Sequence, residues 1–194
     1  MQVGVIMDST YESLSDKELV EVILSNKEAF SAIIERYEKP LRRYIARLGV
    51  RDIRDIEDIL QNSFIKVYRF LYSFDNSFSF SAWIYRIVHN ETYDFFRLKK
   101  RRPEIVLDEE YQHMFLTLEA EDNPALAFDK KLDAALLQEA IEKLDKKYRD
   151  VLLLRYGEEK DYAQISDILE IPEGSVATYI HRGKKALQAL LNKK

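Results

Sequence analysis

Apolar residues return every three or four positions along most of this chain, the spacing of one face of an α-helix. The first such stripe opens at Leu14-Ser15-Asp16-Lys17-Glu18-Leu19, where Ser15 can cap, Glu18 can return the bond and Leu14 can staple to Leu19. A second runs from about Glu28 to Leu48 through Phe30, Ile33, Ile34, Tyr37, Leu41 and Ile45. Pro40 is expected to break or kink it, and Gly49 to close it as a left-handed cap. A third, roughly Asp55 to Tyr72, turns Ile56, Ile59, Leu60, Phe64, Val67 and Leu71 inward and leaves Asp55, Asp58, Gln61, Asn62 and Lys66 outside. A fourth begins at Ser79 and places Phe80, Trp83, Ile84, Ile87, Val88, Phe95 and Leu98 mostly on one side. Arg86, His89, Asn90, Tyr93 and Arg97 fall opposite, and Pro103 ends the pattern.

From Pro103 to about Asp129 no clean period exists, which predicts a linker with a short helical turn around Tyr111–Leu118. The stripe returns with Leu132, Leu136, Leu137, Ala140, Ile141 and Leu144, and again with Tyr148, Val151, Leu152, Leu154 and Arg155 up to Gly157. Asp161-Tyr162-Ala163-Gln164 is a capping box for a short helix through Leu169. Ile171-Pro172-Glu173-Gly174 is a turn, and a last helix from Ser175 to about Leu191 buries Val176, Ile180, Leu187 and Leu190. A short helix, a tight turn and a longer helix make a helix-turn-helix. The chain is therefore predicted to be all-α, with two small helical domains at 14–102 and 132–194 and a flexible acidic linker at 103–131.

Composition fits that frame. An apolar fraction of 46% is ample for a core, while five Gly and four Pro in 194 residues suit long helices with few tight turns. No cysteine is present, which excludes disulfides and thiolate metal sites. No apolar run reaches membrane-spanning length and the N-terminus lacks the features of a signal peptide, so a soluble, cytoplasmic protein without membrane insertion is expected.

Charge changes the picture more. The net charge of −4 is wrong at first sight for a nucleic-acid binder, but residues 97–102 hold five cations and no acid. From Glu104 to Asp122 there are seven acids and no Lys or Arg, and from Ile171 onward five cations face one Glu. Basic, acidic and basic blocks suggest two binding surfaces joined by a segment that avoids phosphate.

Candidate chemistry lies in two places. In the stretch Phe74–Arg102, eight of 29 residues are aromatic. Rings for stacking, an amide at Asn90 and a basic exit suit a single-stranded nucleic acid, although a core helix with a solvated end has the same pattern. In the last helix, Ala177, Thr178, His181, Arg182 and Lys185 are expected outside, where base edges and phosphates would lie; a hairpin that serves only packing is the alternative. His89, His113 and His181 sit in separate segments without metal-ligand spacing, and phosphate-cradling glycine loops and nucleophile elbows are missing. The pairs Glu57–Asp58 and Glu158–Glu159 are expected on the surface. Neither enzyme nor cofactor nor metal site is indicated.

Three segments together resemble the extracytoplasmic-function class of bacterial sigma factors. AFSAIIERYEKPLRRYI looks like the family's first helix. DIEDILQNSFIKVYRFLYSFD and FSAWIYRIVHNETYDFFRLKKRR look like its core-binding and promoter-melting helices. LDKKYRDVLLLRYGEEKDYAQISDILEIPEGSVATYIHRGKKAL looks like its helix-turn-helix. The resemblance implies an initiation subunit that binds RNA polymerase core, melts a minus-ten element and reads a minus-thirty-five element.

On that resemblance Asp55, Asp58, Gln61 and Asn62 would hold the beta-prime clamp helices. Asp75, Asn76, Ser77, Trp83, Arg86, Asn90, Tyr93 and Arg97 would take the minus-ten strand, with one base flipped into a pocket near Asn90. Gly174, Ser175, Ala177, Thr178, His181, Arg182 and Lys185 would face the minus-thirty-five duplex. Promoter DNA, duplex and single-stranded, and an anti-sigma factor would be the further partners.

Departures from the family pattern include Asn62 for an acid, Glu170 for a helix-ending Gly, Ala177 for a basic residue and Gly183 for Ala. The last is expected to cost about 1 kcal/mol of helix stability. Two other readings stay open: a helix-turn-helix regulator that works without polymerase, and a helical bundle serving a small ligand.

Overall fold

The structure, a computed structural model, describes residues 11–100, 103 and 134–191. Among these residues there is no strand. The expected turn at Tyr111–Leu118, the start of a helix at Leu132, and His113 lie outside the described residues, as does most of the linker.

The N-terminal half is built from α1 (Asp16–Ser25), α2 (Phe30–Arg47), α3 (Ile53–Phe70) and α4 (Phe80–Lys99). The capping box at α1 forms as its sequence requires. Ser15 Oγ accepts from the Glu18 amide at 3.3 Å, and the Glu18 carboxylate accepts from the Ser15 amide at 2.8 Å. Arg36 then ties the entry of α1 to α2, donating to Asp16 at 2.7 Å and to the Leu14 carbonyl at 2.8 Å. The inward stripes of α2 and α3 meet with those of α4 in one core whose members include Ile33, Leu41, Ile45, Ile59, Val67, Ile84 and Val88. Buried Ser63 and Thr92 donate to carbonyls one turn back, Ile59 and Val88, so small polar residues allow close packing without an orphaned hydroxyl.

Pro40 neither breaks nor ends α2, which continues through it. Tyr37 and Leu41, on either side of the ring, are both buried, and this packing holds the helix across the missing N–H. Gly49 does take a positive φ, 110°, and its amide donates to Ala46.

The C-terminal half consists of α5 (Ala134–Lys143), α6 (Lys146–Leu152), α7 (Tyr162–Leu169) and α8 (Glu173–Leu191). A wide π-type turn, Leu153–Gly157, follows α6 where continued α-helix was expected. It buries Leu153 and Leu154 side by side and, with Glu159 at φ 51°, turns Glu158 inward rather than onto the surface. The capping box at Asp161 forms in full. Glu170 occupies the left-handed region at φ 53°, a conformation that costs a side chain about 1–2 kcal/mol. Ser166 pins that turn by donating to the Ile171 carbonyl at 2.6 Å while its own carbonyl accepts from the Ile171 amide.

Gly183 carries a meaning that helix propensity hides. A Cβ there would sit 3.1 Å from Leu152 Cδ1 and 3.2 Å from Tyr148 Cβ, so the bare backbone lets α8 lie close on α6. Gly183→Ala is therefore expected to bring none of the roughly 1 kcal/mol that Ala gives in a free helix. Equilibrium urea denaturation checks this: a gain of that size would show that the two helices have room to spare.

The two halves also touch. α4 lies between α2 and α3 on one flank and α7 on the other, so it is enclosed where a free face was expected. Two residues change sides as a result. His89 is buried, and Leu98, assigned to the apolar stripe, is 80% exposed at the mouth of the groove between α3 and α4. No described helix is long and apolar enough to cross a membrane.

Candidate nucleic-acid interface

The outer face of α3 is largely exposed, with a few of its charged groups tied to neighbouring helices. Asp58, Gln61 and Asn62 are exposed, and Asp55 is half-buried with Lys99 Nζ 3.7 Å from its carboxylate. Lys66 reaches across to Glu91 on α4. Asp55, Asp58, Asn62, Glu91 and Asp94 line one open groove between α3 and α4, floored by Ile59 and Phe95. Lys66, Lys99 and Arg97 pair with Glu91, Asp55 and Asp94 along this groove, so Asp58 is the carboxylate of the rim that no described cation meets.

The loop before α4 is held from both ends. Asp75 accepts from the Ser77 amide at 2.9 Å, which keeps its carboxyl below the usual range. Asn76 donates to Glu21 at 3.2 Å and anchors the loop on α1. Ser79 caps α4. Trp83 packs its ring on Phe74 and Phe80 at centroid distances of 4.8 and 5.6 Å, with one edge left at the surface.

Together Ser73, Phe74, Asp75, Phe78, Ser79, Trp83 and Arg86 line a cleft of about 320 Å³, whose far wall carries Asp167 of α7. This space is at the small end of the range for ligand sites and is open to solvent on one side. It lies one to two turns from Asn90, which was expected beside it and instead stands exposed on another flank, as does Arg97. Phe78, 62% exposed at the mouth, was missing from the expected contacts. An aromatic flanked by Asp, Asn and Ser in a short loop was the signal that could have found it.

The second face of α4 is occupied by the C-terminal half. Tyr93 donates its hydroxyl to Asp150 of α6 at 2.8 Å, and the Lys146 ammonium sits over its ring, 3.7 Å from the centroid. Lys146 Nζ is also 3.1 Å from Asp150, and His89 Nε2 is 3.8 Å from the same carboxylate. One turn earlier Tyr85 donates to Glu158 at 2.9 Å. Arg47 at the end of α2 donates to Glu158 at 3.1 Å and to the Gly157 carbonyl at 2.7 Å.

The Arg47 and Glu158 side chains are only 2% and 3% exposed, and Asp150 is 2% exposed. Burial raises the Glu158 carboxyl above its ordinary value against the pull of Tyr85 and Arg47. Lys160 donates to Ser81 at 2.9 Å, Gln164 to Ser79 at 3.3 Å, and Arg86 stands 3.9 Å from Glu170. Tyr93 and Arg86, expected to be open to a DNA strand, are thus engaged within the chain. None of Arg47, Asp150 and Glu158 carries a local sequence signal.

On α8 the expected set is presented. Gly174, Ala177, Thr178, His181, Arg182 and Lys185 are exposed along one side, and Ser175 is half-buried. Thr178 bonds back to the Gly174 carbonyl at 3.2 Å, which fixes its methyl and hydroxyl at the surface. Small and polar residues at the start of a helix with cations one to two turns on match a duplex-reading element.

Comparison with known proteins agrees with both halves. The Sigma-70 region 2 family matches residues 33–102, and the Sigma-70, region 4 family matches residues 134–187. The ECF RNA polymerase sigma factor SigW of Bacillus subtilis is 33% identical, over 93% of this chain and 98% of its own length. The ECF RNA polymerase sigma-E factor of Haemophilus influenzae is 29% identical over 91% and 95%. Among solved structures, CnrH in complex with the cytosolic domain of CnrY aligns with a TM-score of 0.66 at 24% identity, over 91% of this chain and 97% of that one. The sigma factor RpoE of Bartonella quintana, in complex with the anti-sigma factor NepR, aligns at 0.58 and 20% identity, over 85% and 98%. At these identities the two structures speak for the fold.

His89 supplies a direct check on the contact between the halves. Burial lowers its pKa from 6.5 to about 4, Asp150 partly offsets that fall, and Lys146 adds to it, while Nδ1 pairs with the Tyr44 hydroxyl at 2.8 Å. A depressed histidine stabilises the closed arrangement above pH 6.5, and this contribution is lost as pH falls from 6.5 towards 4. In an NMR titration the His89 ring is expected to show a midpoint near pH 4; an ordinary midpoint would mean that it is not enclosed.

Proposed function

From the premise that this chain belongs to the extracytoplasmic-function class of bacterial RNA polymerase sigma factors, we propose specific roles for its surfaces in promoter-directed initiation. The chain is an initiation factor that acts with polymerase and specifies the promoter, and is not a regulator working alone. Residues 14–102 form the domain that takes polymerase core and the minus-ten element, 103–131 the linker, and 132–194 the domain for the minus-thirty-five element.

Asp58, Gln61 and Asn62, with Asp55 beside them, receive the beta-prime clamp helices. The observation that carries this reading is that α3 spends none of these three exposed groups on its own fold. The cleft at Asp75, Trp83 and Arg86 receives a flipped base, while Asn76 and Ser77 hold its rim. Asn90, Tyr93 and Arg97 line the strand's further path, where rings stack bases and cations track phosphates. Ala177, Thr178 and Arg182 meet base edges in the major groove, with Gly174, Ser175, His181 and Lys185 around them. Its work lies in the cytoplasm with polymerase. An anti-sigma factor is its inhibitory partner, by likeness to the relative solved with NepR.

Reconstitution with core polymerase tests the core-binding role. Asp58→Arg is expected to abolish binding to core while leaving a folded, monodisperse chain, because the side chain is exposed and reversal adds repulsion to lost attraction. A helical mutant that still binds core would remove this face from the interface.

The same holoenzyme, offered a pool of promoters, tests the recognition helix. Arg182→Ala is expected to weaken recognition by roughly 1–3 kcal/mol and to relax the preference at one or two upstream positions. Equal loss on every sequence would make Arg182 a phosphate contact, and no loss would take it out of the interface.

A further inference from the structure

The cleft of about 320 Å³ beside α4 combines two kinds of lining. Phe74, Phe78 and Trp83 supply aromatic rings, while Asp75 and Asp167 supply carboxylates from separate elements, the loop before α4 and α7. Phe74 and Trp83 pack on one another at a centroid distance of 4.8 Å and form a fixed wall. Phe78 is 62% exposed and meets no other ring among the described residues.

Charge decides what such a space can hold. Neither Asp75 nor Asp167 has a cation partner among the described residues, and both side chains reach solvent. The Ser77 amide, 2.9 Å from Asp75, favours the ionised form of that carboxyl. Arg86, the cation of the lining, stands 3.9 Å from Glu170, so an acid outside the cleft already answers its charge.

An anion would face two carboxylates here. A bare metal ion would find no group of three or more ligating side chains, since none exists among the described residues. An organic ammonium gains from both kinds of lining. Ring faces attract the cation through their quadrupole, and carboxylates accept its N–H groups in charge-assisted bonds. Carboxylates on two elements, with rings beside them, match two ammonium groups joined by a short apolar chain.

We infer that this cleft is a binding site for a short organic diammonium ion, with one ammonium on Asp75, the other on Asp167, and the chain between them against Phe78 and Trp83. The inference goes beyond the roles proposed above and does not depend on them. Because Asp167 belongs to α7 and Asp75 to the N-terminal half, the ligand fastens one half to the other. Bound ligand then stabilises the chain by mass action.

The chain carries its own reporter, because Trp83 is its single tryptophan. The probe is 1,4-diaminobutane, added to the full chain at constant ionic strength. A saturable change in Trp83 emission and a rise in Tm are expected, and magnesium chloride at equal charge is expected to give neither. Hydrogen-exchange protection of α7 amides is expected to rise with occupancy. Asp75→Asn keeps the oxygen that accepts from Ser77, and Asp167 is exposed, so both substitutions spare the fold. Each is expected to weaken binding at least threefold, and the pair at least tenfold. Phe78→Leu, which keeps the bulk and removes the ring, is expected to weaken it at least threefold. Glu35→Gln, at an exposed position of α2, is expected to leave binding unchanged.

An emission change that does not saturate, or that magnesium reproduces, would overturn the site. So would a double Asn variant that binds as tightly as wild type. Undiminished binding by Phe78→Leu would leave only general charge attraction and overturn an organic-cation site. Binding that adds no protection to α7 would take Asp167 out of it and overturn the bridge.

Discussion

Everything in this structure depends on α4 having neighbours on both sides. Ile84 and Val88 are fully buried with the core of the N-terminal half, while Tyr85, His89 and Tyr93 look to residues of the other half or to the seam between them. A helix enclosed in this way is stable only if its polar groups find partners. Here they do: the phenols bond carboxylates, the imidazole bonds Tyr44, and Thr92 bonds its own backbone.

The first flank and the second differ in kind. Against α2 and α3 the contacts are aliphatic and aromatic, close-packed, and cannot be exchanged for water without large loss. Against α6 and α7 the hydrophobic cluster continues into the C-terminal half, and phenol, carboxylate, ammonium and guanidinium contacts are added to it. Interfaces of that composition owe their geometry to charge pairing more than their strength, because desolvation offsets most of what the pairing gives. One helix thus joins two halves of a single hydrophobic cluster, with polar contacts added along the seam.

Local signals were legible in the sequence and long-range ones were not. Both capping boxes, at Ser15 and Asp161, formed as read, since each is complete within four residues. The stripe of α3 and the exposed side of α8 also followed from period alone, because each helix has one core to face. That assumption failed for α4, where a second neighbour took His89 and Tyr93. Arg47 and Glu158 are 111 residues apart, and nothing near either announces the other. Pro40 and Gly183 were judged by propensity, which ignores the packing that carries the helix past one and requires the absence of a side chain at the other. The exposure of Asp58, Gln61 and Asn62 on α3 and of Ala177, Thr178, His181, Arg182 and Lys185 on α8 followed the helical period, while the cleft lies at Trp83 and not at Asn90.

The wide turn at Leu153–Gly157 sets the phase of everything after it. An α-helix advances 100° per residue, so winding this segment regularly, or shortening it by one position, would swing Glu158 about a quarter-turn off Arg47. Tyr162–Leu169 would then arrive at α4 with a different side presented. The count of residues in this turn is therefore as constrained as their identity. A chain with one residue more or fewer in this turn would keep the same two halves but lose the pairing of Glu158 with Arg47 and Tyr85.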